Sequence, residues 1–412
     1  MTERLYYKDS FLHEFEARVV AVSAATGAVA VILDRSAFCP TSGGQVFDTG
    51  WLEVGDAQSS ARVRVKDVAE DEQTGDVLHL VEGDVKPLQP GSLVRGTIDG
   101  ERRLDHIQQH SGQHVLSAAF EKLYGFATVS FHMGEESCTI DLATDAISAK
   151  QLEAADKMAN KIIAEDRPVE IRFATPDEAR TLGVRKIPLA EREKLRLIDV
   201  RDFDLNACGG THVRSTGQIG GILLRRTEKV KQGVRVEFVC GLRAVRTARR
   251  DFETLTEAAS VFSTHIWEVP QQVRKSLDEI KSAQKAQHRL LEEVAELQAL
   301  QLLQSAKDSG EYRLVVQFFV DRDLGFIKML AQKLTKSGDV VALLGCGGSQ
   351  ASLVFAQTPG LANDMGALMK QTVQQLGTRG GGNRDMAQGG APDNASAEQA
   401  LQQTASVIVV SG

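Results

Sequence analysis

No apolar run in this sequence approaches the roughly 20 residues that a membrane-spanning helix needs, which excludes an integral helical membrane protein. The first residues, MTERLYYKDSF, lack the apolar segment of a signal peptide, so a cytoplasmic, reducing location is expected. Cysteine is sparse, five residues in 412. A disulfide-stapled miniprotein is thereby excluded, and the thiols are expected free or bound to metal. There is no excess of positive charge, the formal net charge being −7, which argues against nonspecific coating of nucleic acid but leaves room for a local basic face. No internal repeat is present.

What is present is an ordinary globular composition, 42% hydrophobic and 25% charged, in a chain long enough for two to four domains at roughly 150 residues each. Residues 18–23, 28–33, 61–68 and 77–81 alternate or are β-branched between turn-rich stretches, which predicts a small barrel or sandwich. From Asp105 the period becomes helical, with Ile107, Val115, Leu116, Ala119 and Leu123 on one broad face and Gly125 as the stop. A helix over 148–163 and strand-like runs at 169–173, 195–200 and 235–239 follow in irregular order, as in α+β domains. Beyond Gly241 helix formers dominate. Val273, Leu277 and Ile280 resume as Leu291, Val294 and Leu297, but Gln284 and Gln287 fall where a heptad seam wants apolar residues. That predicts a helical hairpin or short coiled coil rather than a long rod. After Gly310, strands at 314–320, 340–344 and 352–355 beside a helix over 362–376 predict a compact α/β unit. The expected fold class is therefore α+β multidomain: a small N-terminal β-barrel (1–100), an α+β domain (101–250), a helical segment (251–309) and a C-terminal α/β domain (310–412).

Charge is uneven. Between Arg225 and Arg250 stand nine basic residues against only Glu228 and Glu237, a solvated face or a nucleic-acid contact. Asp105 to His114 reads DHIQQHSGQH, placing His106, His110 and His114 at i, i+4 and i+8, within about 80° of helical arc. Imidazoles one turn apart can bind the same ion. No Glu follows the first His, so this is not the metalloprotease pattern. Asn206 to Val213 reads NACGGTHV, and the two glycines allow a tight turn that aims Cys208 and His212 at one point. Three nitrogens and one sulfur suit Zn²⁺ better than hard-oxygen metals. Four protein ligands read as a structural site, whereas a catalytic zinc keeps one position open.

The pairing of His110-x-x-x-His114 with Cys208-x-x-x-His212 closely resembles the editing domain of alanyl-tRNA synthetase and the free-standing AlaX proteins, and is related to that of threonyl-tRNA synthetase. In that family these four positions bind zinc. The resemblance extends to Phe38–Gln45 (FCPTSGGQ) with Asp48-Thr-Gly50, to Val129–Gly134 with Thr139–Leu142, and to Gly377–Gly390. The last resembles the glycine-rich signature of the C-terminal DHHA1 domain. The order of motifs matches the long AlaX type. Cys39 stands where an aromatic is expected and is read as a small core residue, with a metal-adjacent thiol or reshaped pocket wall as the alternative. Cys138, Cys240 and Cys346 are expected in the core. About 100 strand-rich residues before the His helix leave no room for a class II aminoacylation core.

The resemblance implies a zinc-dependent hydrolase for mischarged tRNA(Ala). Alanine pockets cannot strongly reject serine or glycine, and a second hydrolytic site is the general remedy. Zinc would be held by His110, His114, Cys208 and His212. Thr41, Ser42 and Gln45 would line the aminoacyl pocket, Thr41 giving selectivity, and Ser130 and His132 would position substrate or move protons. His106 would orient a ligand or contact the tRNA end. A homodimer through the helical region or the C-terminal domain is left open. So are a tRNA-binding module with structural zinc, a small-ester hydrolase and editing of another tRNA.

Overall fold

The computed structural model of the chain describes residues 1–25, 28–56, 59–184, 194–348 and 350–410. The fold is α+β and multidomain, with two compact units, Met1–Glu257 and Ala258–Gly412. In the first unit, β1 (Glu14–Ala25), β2 (Ala28–Leu33), β3 (Gly50–Asp56), β4 (Ser59–Glu70), β5 (Val77–Glu82) and β6 (Leu93–Ile98) close into an antiparallel barrel of order β1-β2-β5-β4-β3-β6. Alternation decides what faces inward: Val77, His79 and Val81 of β5 are buried and their neighbours are not. Phe15, Leu33, Phe38, Leu52 and Val65 fill the interior. His79 sits among them, its ring 2.7 Å from Ser36 Oγ and 2.9 Å from the Val31 carbonyl, and burial pushes it down to about 4.

α1 (Gly100–Tyr124) ends, as expected, at Gly125, which adopts φ 70°. It begins five residues before the apolar period does, because its first buried residue is charged. Arg103 is fully buried and paired with the fully buried Asp48. It also donates to the carbonyls of Ser10 (2.8 Å) and Ala37 (2.6 Å), while Asp48 accepts from the Cys39 N–H at 2.6 Å. The Gly-rich connection from β2 to β3 is thereby locked onto α1.

Around α1 pack β7 (Thr128–Met133), β8 (Cys138–Leu142), α2 (Ala149–Ala164), β9 (Val169–Ala174), α3 (Pro176–Thr181), β10 (Leu195–Val200), β11 (Asp204–Ala207), β12 (Ile222–Val230) and β13 (Gly233–Cys240). They form a four-stranded sheet, β12-β13-β8-β7, and a three-stranded one, β9-β10-β11. Ile107, Leu116 and Phe120 of α1 share a core with Ala155, Ala159, Ile140 and Phe238. α2 starts on a capping box between Ser148 and Gln151. α4 (Gly241–Val261) follows.

The second unit corrects one expectation. In place of a hairpin or short coiled coil stands a single uninterrupted helix, α5 (Val269–Gln304). Gln284 and Gln287 lie exposed along it. A heptad seam needs apolar residues only where another helix packs, and glutamine is itself a good helix former. The six-stranded sheet runs β14 (Lys307–Asp308), β15 (Arg313–Phe319), β16 (Val340–Cys346), β17 (Ala351–Gln357), then β19 (Met386–Ala391) and β18 (Gly380–Gly382) at the edge. All seven residues of β16 are buried, as in a sheet covered on both faces. Val340, Ala342 and Leu344 face α6 (Leu324–Lys336) and the end of α5, whereas Val341 and Leu343 face α7 (Met365–Gln375) and α8 (Asn394–Val410). The polar stretch at 394–403 is thus the start of a helix, held by Ala397, Ala400 and Leu401. Among the described residues no helix is long and apolar enough to cross a membrane.

Candidate metal centre

His110 and His114 project from α1, and Cys208 and His212 lie on the turn that follows β11. Their ligand atoms all lie within 4.8 Å of one another. Cys208 Sγ is 3.4 Å from His110 Nε2 and 3.3 Å from His212 Nε2. A tetrahedral zinc with bonds of about 2.3 Å to sulfur and 2.0 Å to nitrogen would separate such atoms by about 3.5 Å, so the donor set fits that ion. Each histidine also has a polar group behind its Nδ1. Gln45 Oε1 accepts from His110 at 2.6 Å, Ser111 Oγ lies 3.3 Å from His212, and an Asp204 oxygen lies 3.8 Å from His114. That arrangement turns every Nε2 inward, the second layer that metal-binding histidines require.

Two glycines make the approach feasible. A Cβ on Gly210 would come within 2.2 Å of the His110 ring. On Gly44, at φ 86°, it would come within 2.4 Å of the Phe131 carbonyl. The turn is clamped from behind by Arg196, which donates to the carbonyls of Cys208 (2.8 Å), Gly210 (2.9 Å) and Tyr7 (3.0 Å). Burial alone would raise the Cys208 thiol, but the rings of His110, His212 and His114 outweigh it and hold it well below the ordinary value. The thiolate that metal binding needs is thus favoured. Burial lowers His114, yet Cys208 and Asp204 together bring it up to about 9.

A cavity of about 510 Å³ opens onto this cluster, lined by Gly43, Gln113, Ser130, Phe131 and Asn206 beside His110, His114 and Cys208. Phe131 stacks on the His110 ring, with centroids 5.6 Å apart. Ser130 lies on the cavity and donates to Asp141 at 2.7 Å. Gln45 is fully buried, its Nε2 donating to Thr211 Oγ1 at 2.9 Å while its Oε1 also accepts from the Thr211 N–H. It therefore positions His110 instead of lining the pocket. Thr41 does not line the cavity either: it is exposed, and its N–H goes to the Val68 carbonyl of the barrel. Ser42 closes a turn with Gln45. His132 is exposed, opposite Thr139 on β8, and outside the cavity. His106 is buried but stands apart from the four-residue cluster. Cys39, Cys138, Cys240 and Cys346 are buried and outside it. Burial pushes Cys39 up and Cys138 up to about 12.

Sequence reasoning missed Ser111, Asp204, Arg196, Gln113 and Asn206. Ser111 follows a ligand histidine directly, and Asp204 and Asn206 precede Cys208 by four and two residues, so adjacency was an available signal. Arg196 gave none.

Residues 195–236 match the family described as threonyl and alanyl tRNA synthetase second additional domain, a segment that holds Arg196, Cys208 and His212. Residues 3–102 match tRNA synthetases class II (A). The alanyl-tRNA editing protein AlaX-L of Pyrococcus horikoshii is 30% identical over 94% of both chains. The alanine–tRNA ligase of Pyrococcus abyssi is 32% identical over 97% of this chain but only 43% of its own length, so the chain spans less than half of such ligases. The C-Ala domain of Aquifex aeolicus alanyl-tRNA synthetase aligns with 26% of this chain at 18% identity and a TM-score of 0.24.

Proposed function

The chain belongs to the family of the alanyl-tRNA editing protein AlaX-L, and from that premise we propose that it is a zinc-dependent hydrolase that removes serine, and glycine, from mischarged tRNA(Ala). The observation that carries this reading is the convergence of His110, His114, Cys208 and His212 beside a cavity large enough for an aminoacyl-adenosine end. Zinc bound there would polarise the ester carbonyl or activate a water.

The chain's own residues do the rest. Gln45 fixes the tautomer of His110 by accepting from its Nδ1, Ser111 backs the His212 ring, and the Asp204 carboxylate stands 3.8 Å behind His114. Phe131 walls the site. Asn206 Oδ1 is buried without a hydrogen-bond partner, which leaves an acceptor for the α-amino group or side-chain hydroxyl of the substrate. Gln113, Glu121, Thr128 and Ser130 add further side-chain hydrogen-bonding groups to the cavity wall. In the second unit, the glycine strand β18 belongs to the DHHA1-like segment, to which we assign added tRNA affinity without chemistry.

Four filled ligand positions favour a second reading, a tRNA-binding module whose zinc is structural. Incubating the full chain with Ser-, Gly- and Ala-tRNA(Ala) separates the two. Release of serine and glycine with alanine spared is expected for the hydrolase, whereas binding of all three without cleavage would leave the binding module.

A further inference from the structure

A second cavity, about 660 Å³, lies at the N-terminal end of α1, with Phe47, Arg102, His106, Met133, Leu242 and Arg246 in its wall. It neighbours the metal-side cavity through shared elements. The Gly-rich connection gives Gly43 to one and Phe47 to the other, and β7 gives Phe131 to one and Met133 to the other. Between them Met133 N–H donates to the Gly44 carbonyl at 3.1 Å. His106 stands one helical turn before His110, about 6 Å along the axis.

Five of the nine basic residues at 225–250 pair with carboxylates of the same unit. Arg225 pairs with Asp251, Arg226 with Glu237, Arg235 with Asp141, Arg243 with Asp105 and Arg250 with Glu136. Arg246 has no acidic partner among the described residues, and it faces this cavity. Arg102 donates through Nε to the Phe47 carbonyl at 3.0 Å and lies over the Phe47 ring, with no ion pair to a carboxylate among the described residues. His106 is only 3% exposed, and its Nδ1 is buried without a hydrogen-bond partner, 3.9 Å from Asp48. That nitrogen lies toward buried Asp48, so His106 borders the cavity as a buried ring in its wall.

Glu101 and Glu135 also border the cavity, so it is not a sink for a bare anion. Three guanidinium groups (Arg102, Arg243 and Arg246), three carboxylates (Glu101, Asp105 and Glu135), of which Arg243 and Asp105 pair with each other, a buried imidazole and apolar walls together suit a ligand that joins an anionic ester to a flat ring carrying N–H donors and acceptors. A nucleotide has that chemistry.

We propose that this cavity takes the nucleotide that precedes the esterified 3′-terminal one in the RNA substrate. Its phosphodiester lies at Arg246 and Arg102, and its base lies against Phe47 and Met133 with an edge toward His106. The proposal rests on the editing reading for the identity of the RNA.

The test measures equilibrium binding to the full chain of fluorescent RNA ending in 3′ adenosine, one, two or three nucleotides long. The second nucleotide is expected to tighten binding about tenfold, the scale of one stacked base and its phosphate. Arg246→Glu should lose most of that gain and reduce the slope of log affinity against log salt by about 0.7, one single-strand phosphate contact. Arg246→Lys should keep most of it. An equal gain in wild type and Arg246→Glu, or no gain in wild type, would overturn the proposal. Deacylation of Ser-tRNA(Ala) by the same preparation separates the two ideas. Hydrolysis without the dinucleotide gain sinks the cavity alone, and the gain without hydrolysis sinks the editing reading alone.

Discussion

Helices α1 and α5 are the longest among the described residues, and both interrupt an apolar pattern with polar side chains. In α1 the interruptions are buried: Arg103, His106, Gln108, Gln109, His110, Gln113 and His114 are all at most 7% exposed. Most find partners far along the chain. Gln109 donates to the Cys240 carbonyl at 3.0 Å and accepts from its N–H at 2.8 Å, and Gln108 accepts from Leu242 N–H and donates to the Gln218 carbonyl. In α5, Gln284 and Gln287 simply meet solvent. The same residue type at the same kind of position marks a built site in one helix and a solvated rod in the other. What differs is whether the rest of the chain brings a partner.

The contrast is broken most severely at Arg103. Arg103→Ala leaves Asp48 charged and buried, and should cost about 3–5 kcal/mol in urea unfolding; a loss below about 1 kcal/mol would show that the pair is not what locks the Gly-rich connection to α1. Acid comes next. Burial, then Arg102, brings His106 down to about 4, whereas the unfolded chain protonates it near 6.5. Stability is therefore lost as pH falls from about 6.5 to 4, by about 3 kcal/mol for this group, and His106→Gln should flatten that limb.

Gln45→Met keeps the bulk but removes the acceptor behind His110. Metal affinity measured by chelator competition should fall about 10- to 100-fold, and unchanged affinity would remove Gln45 from the site. At the other extreme, Gln284→Ala in α5 should change stability by no more than about 0.5 kcal/mol; a larger loss would mean that this face has a partner after all.

The contrast also explains what could be read from sequence. Short spacings were legible: His110 with His114, Cys208 with His212, the alternation of β5, the stop at Gly125. Each is fixed by neighbours within a few residues. Partnerships across the chain were not, because Arg103 with Asp48, Gln45 with His110 and Arg196 with the Cys208 turn leave no periodic trace. Gln45 reads as a pocket-wall residue for the same reason, although its amide holds His110, and Thr41 sits on a loop whose backbone is tied to the barrel. The rod α5 departs from the heptad expectation because, among the described residues, no helix packs on the face that carries Gln284 and Gln287. Strand β18, three glycines in a row, has no side chains to alternate.

If the metal cluster acts in ester cleavage, removing the metal must stop the reaction. The most direct measurement is zinc content of the full chain together with deacylation of Ser-tRNA(Ala) before chelation, after complete chelation and after zinc is restored. About one zinc per chain, activity lost with the metal and regained with it while the fold persists, is the expected result. Hydrolysis that continues unchanged in metal-free protein would contradict it.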